Sequence, residues 1–294
     1  MRSELIPQID ALRGRVAAWR RQGARVALVP TMGNLHEGHL ALVREARRAA
    51  SRVVVSLFVN PLQFGPAEDF DAYPRTPDQD RALIEREGAD VLFAPSAASL
   101  YPRGQAAHTR VEVPGISDVL CGASRPGHFA GVATVVCTLL NIVRPDLALF
   151  GEKDFQQLLV IRLMTRDLQI PVEIRGVATV REPDGLAMSS RNAYLTPEER
   201  AGAPRLYQAL VRGAERLRAG LAAREVERLA TRELAGAGLR PDYVSVRRSS
   251  DLAVAGPADR SLVVLAAAQL GRARLIDNLR VDLRAHVEPP GATR

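Results

Sequence analysis

Short runs of β-branched and aliphatic residues alternate along the chain with stretches in which apolar positions recur every three or four residues. The runs at 25–30, 53–59, 91–94, 147–150 and 172–177 predict strands, and the periodic stretches at 40–50, 76–87, 129–143 and 155–168 predict helices between them. Such alternation is the signature of βαβ units with right-handed crossovers. It predicts an α/β fold built on a Rossmann-like, doubly wound parallel sheet.

The pattern changes at Glu182-Pro183-Asp184-Gly185, a turn signal between extended segments. Thr196-Pro197-Glu198-Glu199 then marks a helix start: a Thr cap, Pro in the first turn, and acids beside the positive end of the dipole. Two Arg/Glu/Ala/Leu-rich helices follow at 198–219 and 222–237, with short strands at 242–246, 262–267 and 273–276. The expected division is a nucleotide-binding domain over 1–180 and a smaller α+β domain over 181–294, with a loose tail from 288.

Composition narrows the function. The longest apolar stretch, 131–143, falls short of the roughly 20 residues that span a bilayer, and Thr134, Thr138 and Asn141 interrupt it, so it reads as a buried helix. Charges among the first twenty residues leave no apolar core for a secretory signal. Cys121 and Cys137 lack metal or disulfide spacing and suit a reducing, cytoplasmic compartment. The net charge of +7 is spread among interleaved acids, and aromatic residues make up 4%, so neither a phosphate-tracking patch nor a stacking platform for nucleic acid is evident. Of 40 cationic side chains, Lys153 is the sole lysine. In so Arg-biased a chain, a surviving ammonium suggests a position that needs a compact point charge.

The sharpest local signal is Val29-Pro30-Thr31-Met32-Gly33-Asn34-Leu35-His36-Glu37-Gly38-His39, between the first predicted strand and helix. Doubly wound folds bind ligands there, beyond the carboxyl ends of the strands. His36 and His39 project to one side of a helix N-terminus that already favours phosphate, and Gly33 and Gly38 let a nucleotide approach the backbone. Two capping or core histidines are the plainer alternative. Zinc is weaker, because a third ligand is not evident nearby.

This segment resembles the HxGH signature of the nucleotidyltransferase superfamily that includes class I aminoacyl-tRNA synthetases. Met188-Ser189-Ser190-Arg191 resembles a degenerate form of that superfamily's second signature, although a capping turn would read the same. Further segments narrow the likeness: Phe58-Val59-Asn60-Pro61-Leu62-Gln63-Phe64, Tyr73-Pro74-Arg75-Thr76, Arg125-Pro126-Gly127-His128-Phe129, Phe150-Gly151-Glu152-Lys153-Asp154-Phe155-Gln156-Gln157-Leu158, and Arg274-Leu275-Ile276-Asp277-Asn278. Together they resemble the pantothenate synthetase (pantoate–β-alanine ligase) family from Val29 to about Leu279. The likeness fails at Arg247-Arg248-Ser249-Ser250, where an acid is expected, and at Gln79, where relatives carry acid.

The resemblance implies a ligase of pantothenate biosynthesis, on the coenzyme A pathway. In it pantoate attacks the α-phosphate of ATP, pyrophosphate leaves, and β-alanine displaces AMP from a pantoyl adenylate. It implies Mg²⁺ as cofactor with ligands unassigned, a homodimer, and no nucleic-acid or membrane partner. His36, His39, Lys153, Ser189, Ser190 and Arg191 are the implied catalytic set, with His39 a proton donor. ATP contacts are implied for Met32, Gly33, Asn34, Leu35, His36, Glu37, Gly38 and His39, for Gly151, Glu152, Lys153 and Asp154, and for Val180, Met188, Ser189, Ser190 and Arg191. Gln63 and Gln157 are the implied readers of pantoate, Gln63 also lying near β-alanine, with Asn60, Tyr73 and Arg125 as further candidates. His128 reads as a cap or turn residue, and His108 and His286 have no assigned partner. Rival readings are another nucleotidyltransferase of the superfamily and a synthetase-derived RNA-binding module.

Overall fold

The computed structural model describes residues 3–66 and 68–283; the tail from 288 and His286 lie outside them. Two compact units are present, Met1–Leu195 and Thr196–Arg294.

The first unit is a six-stranded sheet of β1 (Glu4–Ile6), β2 (Val26–Thr31), β3 (Arg52–Leu57), β4 (Val91–Phe93), β5 (Leu147–Gly151) and β6 (Glu173–Val177), in the order β1-β4-β3-β2-β5-β6. Every pairing is parallel. Val26, Ala27, Leu28 and Val29 of β2 and Val53, Val54 and Val55 of β3 are fully buried, as central parallel strands must be when helices cover both faces. The predicted helices appear as α2 (Glu37–Ala49), α3 (Pro77–Arg86), α6 (His128–Val143) and α7 (Phe155–Asp167), with short α4 (Ala97–Leu100) and α5 (Cys121–Ser124) before α6. β1 and α1 (Ile9–Arg21) are additional elements, placing an edge strand beside β4.

Strand order decides where a ligand fits. From β2 the chain moves one way, through α2 to β3 and through α3 to β4, and it then returns through α6 to β5 on the other side of β2. Right-handed crossovers therefore put α2 and α3 on one face and α1, α6 and α7 on the other. The packing of α2 on α3, and of α6 on both α1 and α7, agrees. The connections leaving β2 and β5 diverge at their carboxyl ends and open the crevice of a topological switch point.

The second unit pairs α8 (Pro197–Gly202), α9 (Arg205–Arg218) and α10 (Ala223–Gly236) with an antiparallel meander of β7 (Arg240–Arg248), β8 (Ser261–Leu270) and β9 (Ala273–Asp282). The Thr196 hydroxyl accepts the Glu199 N–H at 3.2 Å, the cap the sequence predicted, and Glu199 accepts the Thr196 N–H at 2.9 Å in return, completing a capping box. The single helix expected at 198–219 is instead two. Pro204 between them lacks the N–H that would continue the ladder.

Residues 181–195 group with the first unit, so Met188-Ser189-Ser190-Arg191 does not begin the second, as the expected boundary had it. A hairpin holds this segment in place. Arg181 bridges Ala187, and the Met188 N–H donates to the Val180 carbonyl at 3.0 Å.

Candidate active site

At the end of β2 the chain turns before α2, with Gly33 at φ +87 and Asn34 at φ +49. The Thr31 hydroxyl starts the turn, donating to the Ser56 carbonyl on β3 at 2.8 Å and accepting the Gly33 N–H at 3.3 Å. Asp80 of α3, 2% exposed, takes the next two amides. Asn34 N–H donates to its Oδ2 at 2.9 Å and Leu35 N–H to its Oδ1 at 2.7 Å. A β-carbon on Gly33 would lie 3.0 Å from Asp80 Oδ2, so both the left-handed backbone and the close carboxylate favour glycine there.

His36 caps α2. Its Nδ1 accepts the Gly38 N–H at 3.1 Å, and His39 Nδ1 accepts the His36 N–H at 3.3 Å. Because each neutral ring accepts on Nδ1, each carries its proton on Nε2 and offers that N–H as a donor. The ring centroids are 4.1 Å apart. Burial, reinforced by the Lys153 charge, pushes His36 down to about 4. Burial pushes His39 down to about 3, with the neighbouring His36 and Lys153 adding to it. Both imidazoles are therefore neutral at physiological pH.

β5 ends at Gly151, and the single turn Glu152–Asp154 follows, carrying Lys153 to the same end of the sheet. The Glu152 side chain passes over Gly176 on β6, where a β-carbon would lie 2.9 Å from Glu152 Oε1. The Asp154 carboxylate acts electrostatically on His36, Tyr73, His128 and Arg191, groups from four separate segments.

The hairpin segment closes a third side. Ser190 Oγ donates to the Asn34 carbonyl at 3.4 Å, joining the two signature segments directly. Ser189 caps the turn Ser190–Tyr194 by accepting the Arg191 N–H at 3.3 Å. Arg191 is held bidentately by Asp69, at 3.2 and 2.9 Å, and its guanidinium carbon lies 6.0 Å from the centre of the Tyr73 ring. Burial opposes ionisation of this pair, but the mutual hydrogen bonds outweigh it, raising Arg191 and lowering Asp69.

Gln63 stands across from Met32, its Nε2 donating to the thioether sulfur at 3.2 Å. Asn60, 1% exposed, lies beneath it. Asn60 Nδ2 donates to Gln63 Oε1 at 3.0 Å and to the Gly131 carbonyl at 3.1 Å, while Oδ1 accepts from Leu62 N–H at 3.3 Å and from the Tyr101 hydroxyl at 2.6 Å. With both donors and both lone pairs engaged, Asn60 supports Gln63 from inside the protein. Tyr73 is buried, its ring 5.9 Å from that of Phe64. Arg125 turns to Glu68 and to the Gln63 carbonyl. On α7 the two glutamines separate: Gln156 is buried and bonds Ile116, Val119 and Cys121, whereas Gln157 is half-buried at the helix start.

Sequence reasoning passed over Asp80, Asp69 and Glu68. Asp80 had a signal, an acid in the first turn of a helix, but the helix dipole explains such an acid without a long-range partner. Asp69 and Glu68 sit in an irregular segment whose partners are 122 and 57 residues away.

The profile of the family described as Pantoate-beta-alanine ligase matches residues 4–280. The chain is 59% identical over 274 residues to the pantothenate synthetase of Shewanella sp. (strain MR-7), covering 93% of this chain and 98% of that one. It is 59% identical over 276 residues to the pantothenate synthetase of Thioalkalivibrio sulfidiphilus, covering 93% and 96%. Among solved structures, pantothenate synthetase from Thermus thermophilus superposes with a TM-score of 0.88 at 48% identity, covering 94% of this chain and 98% of that one. The Francisella tularensis pantoate-beta-alanine ligase, solved in complex with β,γ-ATP and β-alanine, gives a TM-score of 0.80 at 32% identity over 94% and 97% of the two chains. Matches that run nearly end to end, on a chain whose two signature segments meet at one switch point, show that it belongs to the pantoate–β-alanine ligase family.

Proposed function

We propose that this chain condenses pantoate with β-alanine, using ATP and releasing AMP and pyrophosphate. The carrying observation is the convergence at the carboxyl ends of β2 and β5. Two neutral imidazoles, the sole lysine and the serine-rich hairpin segment are gathered where a doubly wound fold binds nucleotide.

In the first step a pantoate carboxylate oxygen forms a bond to the α-phosphorus of ATP while the bond to the bridging oxygen breaks and pyrophosphate departs. Negative charge grows on the bridging and non-bridging oxygens. The Nε2–H groups of His36 and His39, whose rings are held by the cap of α2, and the Lys153 ammonium are suited to receive it. His39, the proton donor implied by the resemblance, is neutral here and serves the departing group as a hydrogen-bond donor through Nε2–H. Ser189, Ser190 and Arg191 serve the phosphates, the 32–39 turn cradles the nucleotide, Asp154 takes the ribose, and Gly151, Glu152, Val180 and Met188 complete the pocket. In the second step the β-alanine nitrogen attacks the acyl carbon, AMP leaves with the bond electrons, and the new amide sheds a proton.

Gln63 and Gln157 read the hydroxyls of pantoate, because a site built on such bonds rejects analogues that lack them. Mg²⁺ supplies charge neutralisation at the phosphates. It usually keeps its waters and binds through substrate phosphates with few protein ligands, and among the described residues no group of three His, Cys, Asp or Glu side chains forms a cage. Among those residues no helix is long and apolar enough to cross a membrane. A cytoplasmic homodimer is part of the same proposal.

AMP release measured with pantoate and β-alanine supplied separately and together tests the reading. Release that requires both substrates supports it. A product that retains the nucleotide favours another nucleotidyltransferase, and binding to tRNA without turnover favours an RNA-binding module.

A further inference from the structure

The turn carrying Gln63 is seated on the start of α6 by four independent contacts. His128 Nδ1 lies 2.8 Å from the Gln63 main-chain carbonyl, and Arg125 Nη2 donates to the same oxygen at 3.3 Å. Asn60 reaches the Gly131 carbonyl at 3.1 Å. Gly131 itself lacks the β-carbon that would fall 2.7 Å from the Gln63 nitrogen and closer still to the Leu62 carbonyl.

Donor chemistry fixes the state of His128. A carbonyl can only accept, so Nδ1 carries the proton, and a guanidinium can only donate, so Nε2, 3.1 Å from Arg125 Nη1, is the acceptor. Arg125 is held in turn by Glu68, through Nε at 2.7 Å and through Nη2. Four of its five N–H groups are thereby directed at protein atoms, which makes it a poor receptor for a substrate carboxylate.

We propose that His128 and Arg125, backed by Glu68, are positioning residues that clamp the Gln63 carbonyl and so fix the orientation in which the Gln63 amide meets pantoate. The chain of support runs from Glu68 to Arg125, from Arg125 to His128, and from both to Gln63. The opposite end of the Gln63 side chain is held by Asn60 at 3.0 Å. With the carbonyl and Oε1 both fixed, the amide nitrogen has one direction left to it, toward Met32 and the nucleotide turn. The clamp rests on the reading that Gln63 binds pantoate.

Four variants of the full chain test it by steady-state kinetics with each substrate varied in turn: His128→Phe, His128→Asn, Gln63→Ala, and His128→Phe combined with Gln63→Ala. His128→Phe keeps a ring in place but removes the donor, and it is expected to raise KM for pantoate about tenfold while KM for ATP moves less than about twofold. His128→Asn restores an N–H near the Nδ1 position and is expected to return KM for pantoate to within about threefold of the parent. The double variant is expected to be no worse than Gln63→Ala, because the clamp acts only through Gln63. A normal KM for pantoate in His128→Phe, a parallel rise for ATP, an unrescued Asn variant, or additive losses in the double variant each overturns the clamp. If Gln63→Ala alone leaves KM for pantoate unchanged, the substrate role of Gln63 falls as well, which distinguishes that failure from the others.

Discussion

Asp80 Oδ1 accepts the main-chain N–H of Leu35 at 2.7 Å, tying the first turn of α3 to the turn that presents the histidine pair. Its other oxygen takes the Asn34 N–H at 2.9 Å. A buried carboxylate thus shapes a backbone whose left-handed residues would otherwise have few reasons to settle in one conformation.

Asp80→Asn puts an NH₂ against one of two N–H donors. One charge-assisted bond is lost and a donor is left facing a donor, a combination that costs roughly 2–4 kcal/mol. KM for ATP is expected to rise about tenfold or more, with a lowered Tm. Thermal melts together with ATP titration check it. An unchanged KM would show that the turn holds its shape without the carboxylate.

Lys153→Ala and His39→Ala are expected to reduce pantoate-dependent ATP–pyrophosphate exchange by about 10²–10³ each, the usual cost of removing a fixed donor to developing charge. Lys153 is partly exposed, so Tm of its Ala variant is expected to move little, whereas His39→Ala removes the acceptor of the His36 N–H and is expected to lower stability, and with it Tm, by the cost of a lost cap, about 0.5–2 kcal/mol. Lys153→Arg is expected to recover only a small fraction of the loss, since a planar fork does not reproduce a compact ammonium. Exchange rates near those of the parent in the Ala variants would remove these residues from the chemistry.

The sheet was legible because its central strands are buried on both faces and therefore appear as unbroken aliphatic runs, such as Val53-Val54-Val55. β1 was not, since Glu4–Ile6 has only three residues and takes its identity from pairing with β4, 87 residues later at Val91. Among the candidate site residues, His36, His39 and Lys153 were visible through local spacing and rarity. The supports were not: Asp69, Asp80 and Glu68 are ordinary acids whose role exists only through a distant partner. The break at Pro204 was written in the sequence and outweighed by the amphipathic pattern on either side of it.

Acid should destabilise the fold through its histidines. Burial first, then nearby cations, holds His36 and His128 at about 4; burial, then His36 and Lys153, holds His39 at about 3. All lie below the unfolded value of about 6.5. Since the unfolded chain binds these protons first, the stabilisation is complete above pH 6.5 and is lost as pH falls toward 4 and then 3. The loss is at most about 1.4 kcal/mol per pH unit for each histidine. Urea melts from pH 7.5 to 4.5 are expected to show a decline that is smaller in His128→Asn. The acid limb of adenylation is expected below pH 5, with no inflection near 6.5. Titration of His36, His39 or His128 at 6.5 in the folded protein by NMR would contradict the burial on which this rests.

Gly131→Ala tests how closely α6 and the Gln63 turn must approach. The added β-carbon would meet the Leu62 carbonyl and lie 2.7 Å from the Gln63 nitrogen. Both are backbone, so neither can swing aside as a side-chain tip would. Overpacking of this kind costs about 1–3 kcal/mol, although alanine is the better helix former. Displacement of the turn should raise KM for pantoate more than KM for ATP, because the 32–39 turn proposed to cradle ATP is anchored separately by Asp80. Gly14→Ala supplies the contrast: Gly14 is also helical and its β-carbon would meet nothing within 4 Å, so that variant is expected to gain about 0.5–1 kcal/mol with unchanged kinetics. Equal behaviour of the two alanine variants would mean that the α6 contact yields without cost, and that the seat of Gln63 is softer than its geometry implies.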